Sequence, residues 1–487
     1  MIALYPKATV FPVYDSVAWW SDRWDPLSFG RSFDFARPFF AQFAELQKVV
    51  PRLGMLMTND EGSAYCSFCT HTKRCYLCSS CVVNEESMYC YQANDSRDCV
   101  DCNNITKSEL CYECLHCFSL YSSAYCKDCE NGSNLFACYD CRGCHDCIGC
   151  KNLVSKQYCI LNEQRTKEEV LEMRKELQSF QHMQSLLDRF TQLALTLPSR
   201  ASHLTNCENC SGDHLRDSRN SVHCFDAVNL EDCAYLCPIP QGAKDVRDAH
   251  YSPSTELLYE VMSGTRSNRV RFALHTWDSE DCLYTDECFS CRNLFGCIGL
   301  HHMQYCILNK QYSKDEYEAR IPRILEHMRK SLEWGEFFPI SSSVFGYNES
   351  IAADEFSLQK EEAQQRGWKW TTIVDDVPKV QRTIAAMSLP ESITEIPDDI
   401  LQWAVESAVS RRPFRIIKPE LDFYRRMLLP IPRLHPEERY HRRVSLRNPR
   451  KLWSRKCQKC GKGIETTYSL DRPEKVYCEE CYLKSVY

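Results

Sequence analysis

The chain of 487 residues has no apolar run of about 18 residues, the length needed for a membrane-spanning helix. Its first twenty residues hold Asp15 and two prolines, with no basic-then-apolar order, so they do not read as a secretory signal. There is no P-loop, no glycine-rich dinucleotide turn, no GxSxG and no HExxH. Phosphate-cradling, nucleophile-elbow and zinc-protease chemistries therefore lose their usual signatures. The nearest approach to a catalytic group is Cys144-His145-Asp146-Cys147. There a surface histidine is the simpler reading than a Cys–His dyad. The expectation is a non-enzymatic, cytoplasmic protein with no membrane partner and no evident small-molecule substrate.

What the chain has instead is cysteine, 33 in all. Without a secretion signal these read as thiols or metal ligands before disulfides. All nineteen between Cys66 and Cys159 fall on residue numbers divisible by three. A second period of twelve runs through Cys66, Cys78, Cys90, Cys102, Cys114, Cys126, Cys138 and Cys150. The spacing predicts a narrow β-solenoid with twelve residues and four inward positions per coil, coils stacking about 4.7–4.8 Å apart. So short a coil has no room for Leu or Phe layers, and cysteine is small and readily buried. The pattern resembles the twelve-residue-coil β-helices of insect antifreeze proteins in architecture alone, because no regular outward Thr row is present.

Cys147-Ile148-Gly149 and Gln157 to Asn162 recur as Cys297-Ile298-Gly299 and Gln304 to Asn309. A second, degraded solenoid is therefore expected, its phase slipping between Cys210 and Cys282, with an insertion around 238–267. Each copy precedes a capping box, Thr166 to Glu169 and Ser313 to Glu316. Helices are expected over 167–196 and 314–331, closing the open solenoid ends. Further helices are expected over 34–50 and 358–366. The fold class is mainly β with α: 1–62 a degenerate half-ribbon and helix, 63–162 the first solenoid, 163–201 a capping helix, 202–310 the second solenoid, 311–335 a capping helix, 336–410 a mixed linker, and 411–487 a basic segment with a zinc ribbon. The half-ribbon rests on Tyr5 and Val13-Tyr14, which echo Tyr468 and Val476-Tyr477, with Asp15 and Ala18 where Cys478 and Cys481 stand.

Cys457-x2-Cys460-x17-Cys478-x2-Cys481 has the spacing of a four-cysteine zinc ribbon, a closed structural Zn²⁺ site. Stacked solenoid rungs, Cys66/Cys69 over Cys78/Cys81 and Cys114/Cys117 over Cys126/Cys129, are additional candidate metal sites; filler thiols and disulfides are the alternatives. Charge is uneven. The net is −7, yet residues 411–462 carry +13, leaving −20 elsewhere. Within that arm Arg442, Arg443, Arg447, Arg450, Lys451, Arg455 and Lys456, with Trp453 as a stacking platform, are candidates for nucleic-acid binding. The competing reading is an arm that packs on the acidic body of its own chain.

Tyr14-Asp15, Trp19 to Asp22, Phe33-Asp34-Phe35, Arg37 to Phe40, Gly335 to Pro339, Phe345 to Glu349 and Arg412 to Ile416 together resemble one group. It comprises Cys-rich, zinc-ribbon-terminated proteins of genome-reduced bacteria from candidate phyla. Relatives often carry a complete N-terminal ribbon and an extra Cys-Pro-x-x-Cys knuckle, where this chain has Asp15/Ala18 and Leu434 to Glu438. Some carry a CoA-transferase-type label, for which this sequence offers no residues. The expected function is a zinc-binding scaffold with a protein or RNA partner, displaying long, Tyr-rich, charged solenoid flanks. The alternative is a thiol-rich metal-storage or redox-buffering protein.

Overall fold

A computed structural model describes residues 3–5, 9–237, 242–250, 254–372, 378–380 and 382–487. It is a mixed strand and helix molecule in which short strands predominate. The strands of the first cysteine-rich region pair in parallel with the segment twelve residues on: Thr70 with Val82, Val82 with Asn94, Ala93 with Ile105, Cys99 with Cys111. Isolated bridges continue the register through Phe136–Ile148 to Ile148–Ile160. The ladder then stops in an antiparallel turn, Cys159 opposite Gln164 and Ile160 opposite Glu163.

The backbone turns at every third residue. Tyr65, Phe68, His71, Arg74, Leu77 and Ser80 all take positive φ, between 50 and 58°. The residue after several of these left-handed corners is an inward cysteine, such as Cys66, Cys69, Cys78 and Cys81, all buried. The inward side chain also satisfies backbone. Ser87 Oγ accepts Cys99 N–H at 3.3 Å, Ser108 Oγ accepts Leu120 N–H at 3.2 Å, and Cys66 Sγ receives Cys78 N–H at 3.4 Å. The thiols donate in turn, Cys90 Sγ to Met88 O at 3.4 Å and Cys150 Sγ to Ile148 O at 3.3 Å. A small side chain that can accept and donate meets a requirement that Ala or Val would leave open. All cysteines are unbridged.

The second ladder explains the slipped phase. Leu204 pairs with Leu215, one residue short of twelve, so the inward set moves to Leu215, Cys224, Leu230 and Cys233. Leu230 pairs with Ala243, one residue over, and the original phase returns with Ala243, Val246 and Ala249. From Arg247–Tyr259 to Arg292–Gln304 the twelve-residue register is regular. The insertion expected around 238–267 is thus a one-residue shift followed by repeats whose buried positions are Ala, Val, Leu and Ser; of that span, 238–241 and 251–253 lie outside the described residues.

Each ladder ends in an antiparallel turn, the second with Cys306 opposite Gln311. Both capping boxes are present, on Lys167–Glu176 and Lys314–Lys330. The expected helix 167–196 is broken, and resumes as Phe180–Thr196. At the break Phe180 N–H donates to Glu391 O, and the Glu391 carboxylate caps Gln181 N–H at 2.8 Å. The second helix runs along the flank, with Phe190 against Tyr139 (ring centroids 4.7 Å) and Ala194 O accepting from Lys151 Nζ at 2.9 Å. The flank it helps cover is a column at twelve-residue spacing: Met88, Val100, Tyr112, Ala124, Phe136, Ile148 and Ile160. Residues 386–431 cover its earlier part, where Tyr424 meets Tyr112 at 5.5 Å. Of the tyrosines on that side Tyr112 is buried, Tyr76, Tyr89, Tyr125, Tyr139 and Tyr158 are half-buried against the covering residues, and Tyr65 is exposed.

The helix expected over 34–50 spans Phe39–Gln47; Pro38 offers no side-chain cap, and the Glu333 carboxylate accepts Phe39 and Phe40 N–H, each at 2.8 Å. The one expected over 358–366 spans Lys360–Gln365. The two ladders lie side by side and run in opposite directions: His214 reaches Asp128, while His275, late in the second ladder, stacks on Phe68, early in the first. Among the described residues no helix is long and apolar enough to cross a membrane.

Candidate metal centre

The C-terminal cysteines converge. A hairpin pairs Trp453–Lys456 with Gly463–Thr466. Its turn brings Cys457 N–H to Lys462 O at 2.8 Å and Gly461 N–H to Cys457 O at 2.9 Å, with Gly461 at φ 77°. Strand Lys475–Tyr477 delivers Cys478, the N-cap of helix Glu479–Val486, and Cys481 follows in the first turn. The four sulfurs lie within 4.8 Å of one another, with Cys460 and Cys478 at 3.8 Å. Burial would raise the Cys457 thiol, but backbone N–H groups of Cys478, Cys460 and Lys459 bring it down to about 6. A thiol ionised at neutral pH, four sulfurs deep, is the donor set of a closed tetrahedral metal site. These residues can hold a metal ion.

The ladder cysteines stand differently. Cys66 adjoins Cys69 and Cys78, as the stacked-rung reading expects. Among the described residues, however, the groups with all ligand atoms within 4.8 Å include neither the Cys66/Cys69/Cys78/Cys81 nor the Cys114/Cys117/Cys126/Cys129 quartet. In the second ladder burial pushes Cys291 up to about 11 and Cys306 up to about 12, which keeps those thiols protonated.

The centre is docked on both ladders. Strand Lys475–Tyr477 pairs with Pro198–Arg200, Tyr482 Oη donates to Asp140 at 2.5 Å, and Thr467 Oγ1 donates to Asp213 at 2.7 Å.

The basic arm preceding it is largely spoken for. Arg443 is 1 % exposed and lies 3.1 Å from Asp101 and 3.3 Å from Glu113. Arg442 meets Glu113 at 2.7 Å, Arg447 pairs with Glu355, and Arg450 meets Asp226 at 2.8 Å and Glu355 at 2.9 Å. These four candidates for phosphate contact face carboxylates of their own chain. Lys451 lies over the Trp453 ring at 5.3 Å, Arg455 donates to Ser469 O at 2.8 Å, and Lys456 is exposed. The sequence reading missed Arg439, buried between Asp101 at 2.9 Å and Glu420 at 3.4 Å. Burial pushes both carboxyls up, and Arg439 opposes that. No sequence signal separates it from its neighbours except helical spacing, Arg439 to Arg443.

No protein-family model matches the chain, and no curated protein matches it. Among solved structures, one named an acetyltransferase, from Desulfovibrio desulfuricans G20, aligns at 8% identity over 54% of this chain and 71% of that one. Its TM-score is 0.09, too low to bear on fold or activity.

Proposed function

We propose that the two ladders are β-solenoids of twelve-residue coils, and that the chain is a non-enzymatic interaction scaffold fastened at its C-terminus by a zinc ribbon. Zinc is the metal that suits four thiolates with no open position. The basic arm is an internal strap. The observation that carries this reading is the burial of Arg439 and Arg443, each 1 % exposed, against carboxylates of the first ladder and of the 418–427 helix. Charges sealed this way add little to RNA affinity, because they release no counterion from phosphate. The surface left for a protein partner includes the charge-alternating column Lys73, Glu85, Arg97 and Glu109, whose neighbours pair along it, Arg97 with Glu109 at 2.6 Å.

The test is filter binding of single-stranded RNA to the intact protein at low salt, where no retention is expected. Salt-sensitive retention that weakens by about 1–3 kcal/mol on Trp453→Ala would restore a nucleic-acid role. Five or more thiolate-bound metals per chain would favour metal storage instead, since one ribbon holds one ion.

A further inference from the structure

Histidines and aspartates of both ladders meet where the two ladders touch. His116 and Asp128 stack at twelve-residue spacing on the first ladder; His214 and Asp226 do so on the second. Across the seam His214 Nε2 lies 2.8 Å from Asp128 Oδ1, and His116 Nε2 lies 3.3 Å from Asp226 Oδ1. The His116 and His214 rings are 4.1 Å apart. His203 stacks on His214 at 4.6 Å and lies 3.1 Å from Asp213.

His116 stands out. Its side chain is 5 % exposed, and neither ring nitrogen has a hydrogen-bond partner, though both face carboxylates. A buried imidazole with both nitrogens unsatisfied is costly unless something else occupies them. Nδ1 lies 3.6 Å from Asp128 Oδ1. His116, Asp128 and His214 each offer a ligand atom, all within 4.8 Å of one another. Tetrahedral donors about 2.0–2.1 Å from an ion sit about 3.3 Å apart. The Asp128–His214 and Asp128–His116 separations, 2.8 and 3.6 Å, straddle that edge length.

We infer that His116, Asp128 and His214 form a second metal site, for one divalent transition ion of the zinc, cobalt or ferrous class, held between the two ladders. Imidazole with carboxylate is the donor set such ions accept. The outer nitrogens fit as well. His116 Nε2 faces Asp226, and His214 Nδ1 is 3.8 Å from both Asp213 and Asp226, so carboxylates stand where they orient the rings of metal-bound histidines. Asp226 is itself held by Arg450 at 2.8 Å, which makes it an orienting group rather than a ligand. Three protein ligands leave one position for water or a fourth donor.

This site is independent of the cysteine centre, and X-ray absorption separates the two. On the intact zinc-loaded protein, metal analysis is expected to give two ions, and the zinc edge a mixed sulfur and nitrogen/oxygen shell. His116→Ala and, separately, His214→Asn should each lower the count from two to one and leave a sulfur-only shell. A wild-type protein with one ion and sulfur-only ligation overturns the proposal while sparing the ribbon. A nitrogen/oxygen shell alone does the reverse. Titration of the apo-protein with Co²⁺ gives a reading on wild-type chain should either variant fail to fold. Weak d–d bands without thiolate charge transfer are expected from the second equivalent, and their absence at saturation also overturns it.

Discussion

Val83 is β-branched, 49 % exposed, and sits at φ 54°, one of the left-handed corners. A branched side chain there costs about 1–2 kcal/mol, whereas asparagine adopts this conformation readily. Val83→Asn is expected to stabilise by about 1 kcal/mol, read as a higher urea midpoint at unchanged slope; a lower midpoint would show that the corner is not strained. Glu287 poses a different residue-level question. It is 6 % exposed and shares Arg52 with Asp286, which takes the guanidinium at 2.7 Å. One cation cannot neutralise two buried carboxylates. Burial first, and Asp286 after it, push Glu287 from 4.5 up to about 7 against the pull of Arg52. The native state then holds a proton that the unfolded chain has released across that window. Stability should fall as pH rises from about 4.5 to 7, by about 2–3 kcal/mol. In Glu287→Gln that slope should vanish; an unchanged slope would place the proton elsewhere.

At the scale of elements, the strap decides most. Helix Pro436–Leu446 lays Arg439 and Arg443 on Asp101 and Glu113, so its inner face is charged where an apolar stripe is usual. Removing one member of a sealed ion cluster leaves the others unpaired, at about 3–5 kcal/mol. Arg443→Ala is expected to destabilise by that amount, while Lys456→Ala, at an exposed position of the same arm, should change stability by less than about 0.5 kcal/mol. Equal effects in denaturant titrations would contradict an internal strap. The break between Lys167–Glu176 and Phe180–Thr196 belongs here too: Glu391 offers the second helix an N-terminal cap that a continuous helix could not use.

For the whole molecule, the cysteine centre joins parts distant in sequence. Its strand pairs with Pro198–Arg200, and Tyr482 reaches Asp140. Losing the ion should release this end and leave the first ladder intact, because that ladder's core is separate from the cluster of Cys457, Cys478 and Cys481. Cys460 is the exposed one of the four cysteines, so Cys460→Ser disturbs packing least. The variant is expected to lose the sulfur-bound metal and to expose 453–487 to limited proteolysis, with the rest of the chain resistant. Retained metal, or uniform digestion, would count against the fastening role.

The twelve-residue pairing was legible in the chain because each repeat carries the same constraint: a small buried side chain after a left-handed corner. Cys66, Cys78 and Cys90 carry that constraint in their spacing alone. The cysteine cluster at 457–481 was legible for a like reason, since metal-ligand knuckles are local, and the capping boxes at Thr166 and Ser313 involve residues three apart. The phase slips were visible in Cys224 and Cys233, but their cause, repeats of one residue fewer and one more, needed the pairing register. What the ladders face lay beyond local pattern. The column from Met88 to Ile160 repeats every twelve residues, yet whether it meets solvent, a partner or residues 386–431 depends on how distant segments return. The same holds for His116 beside His214, and for an arm of net +13 that meets carboxylates of its own chain. Periodicity and knuckle spacing are set by neighbours along the chain, whereas the seam, the strap and the covered flank are set by where two ladders and a tail come to rest.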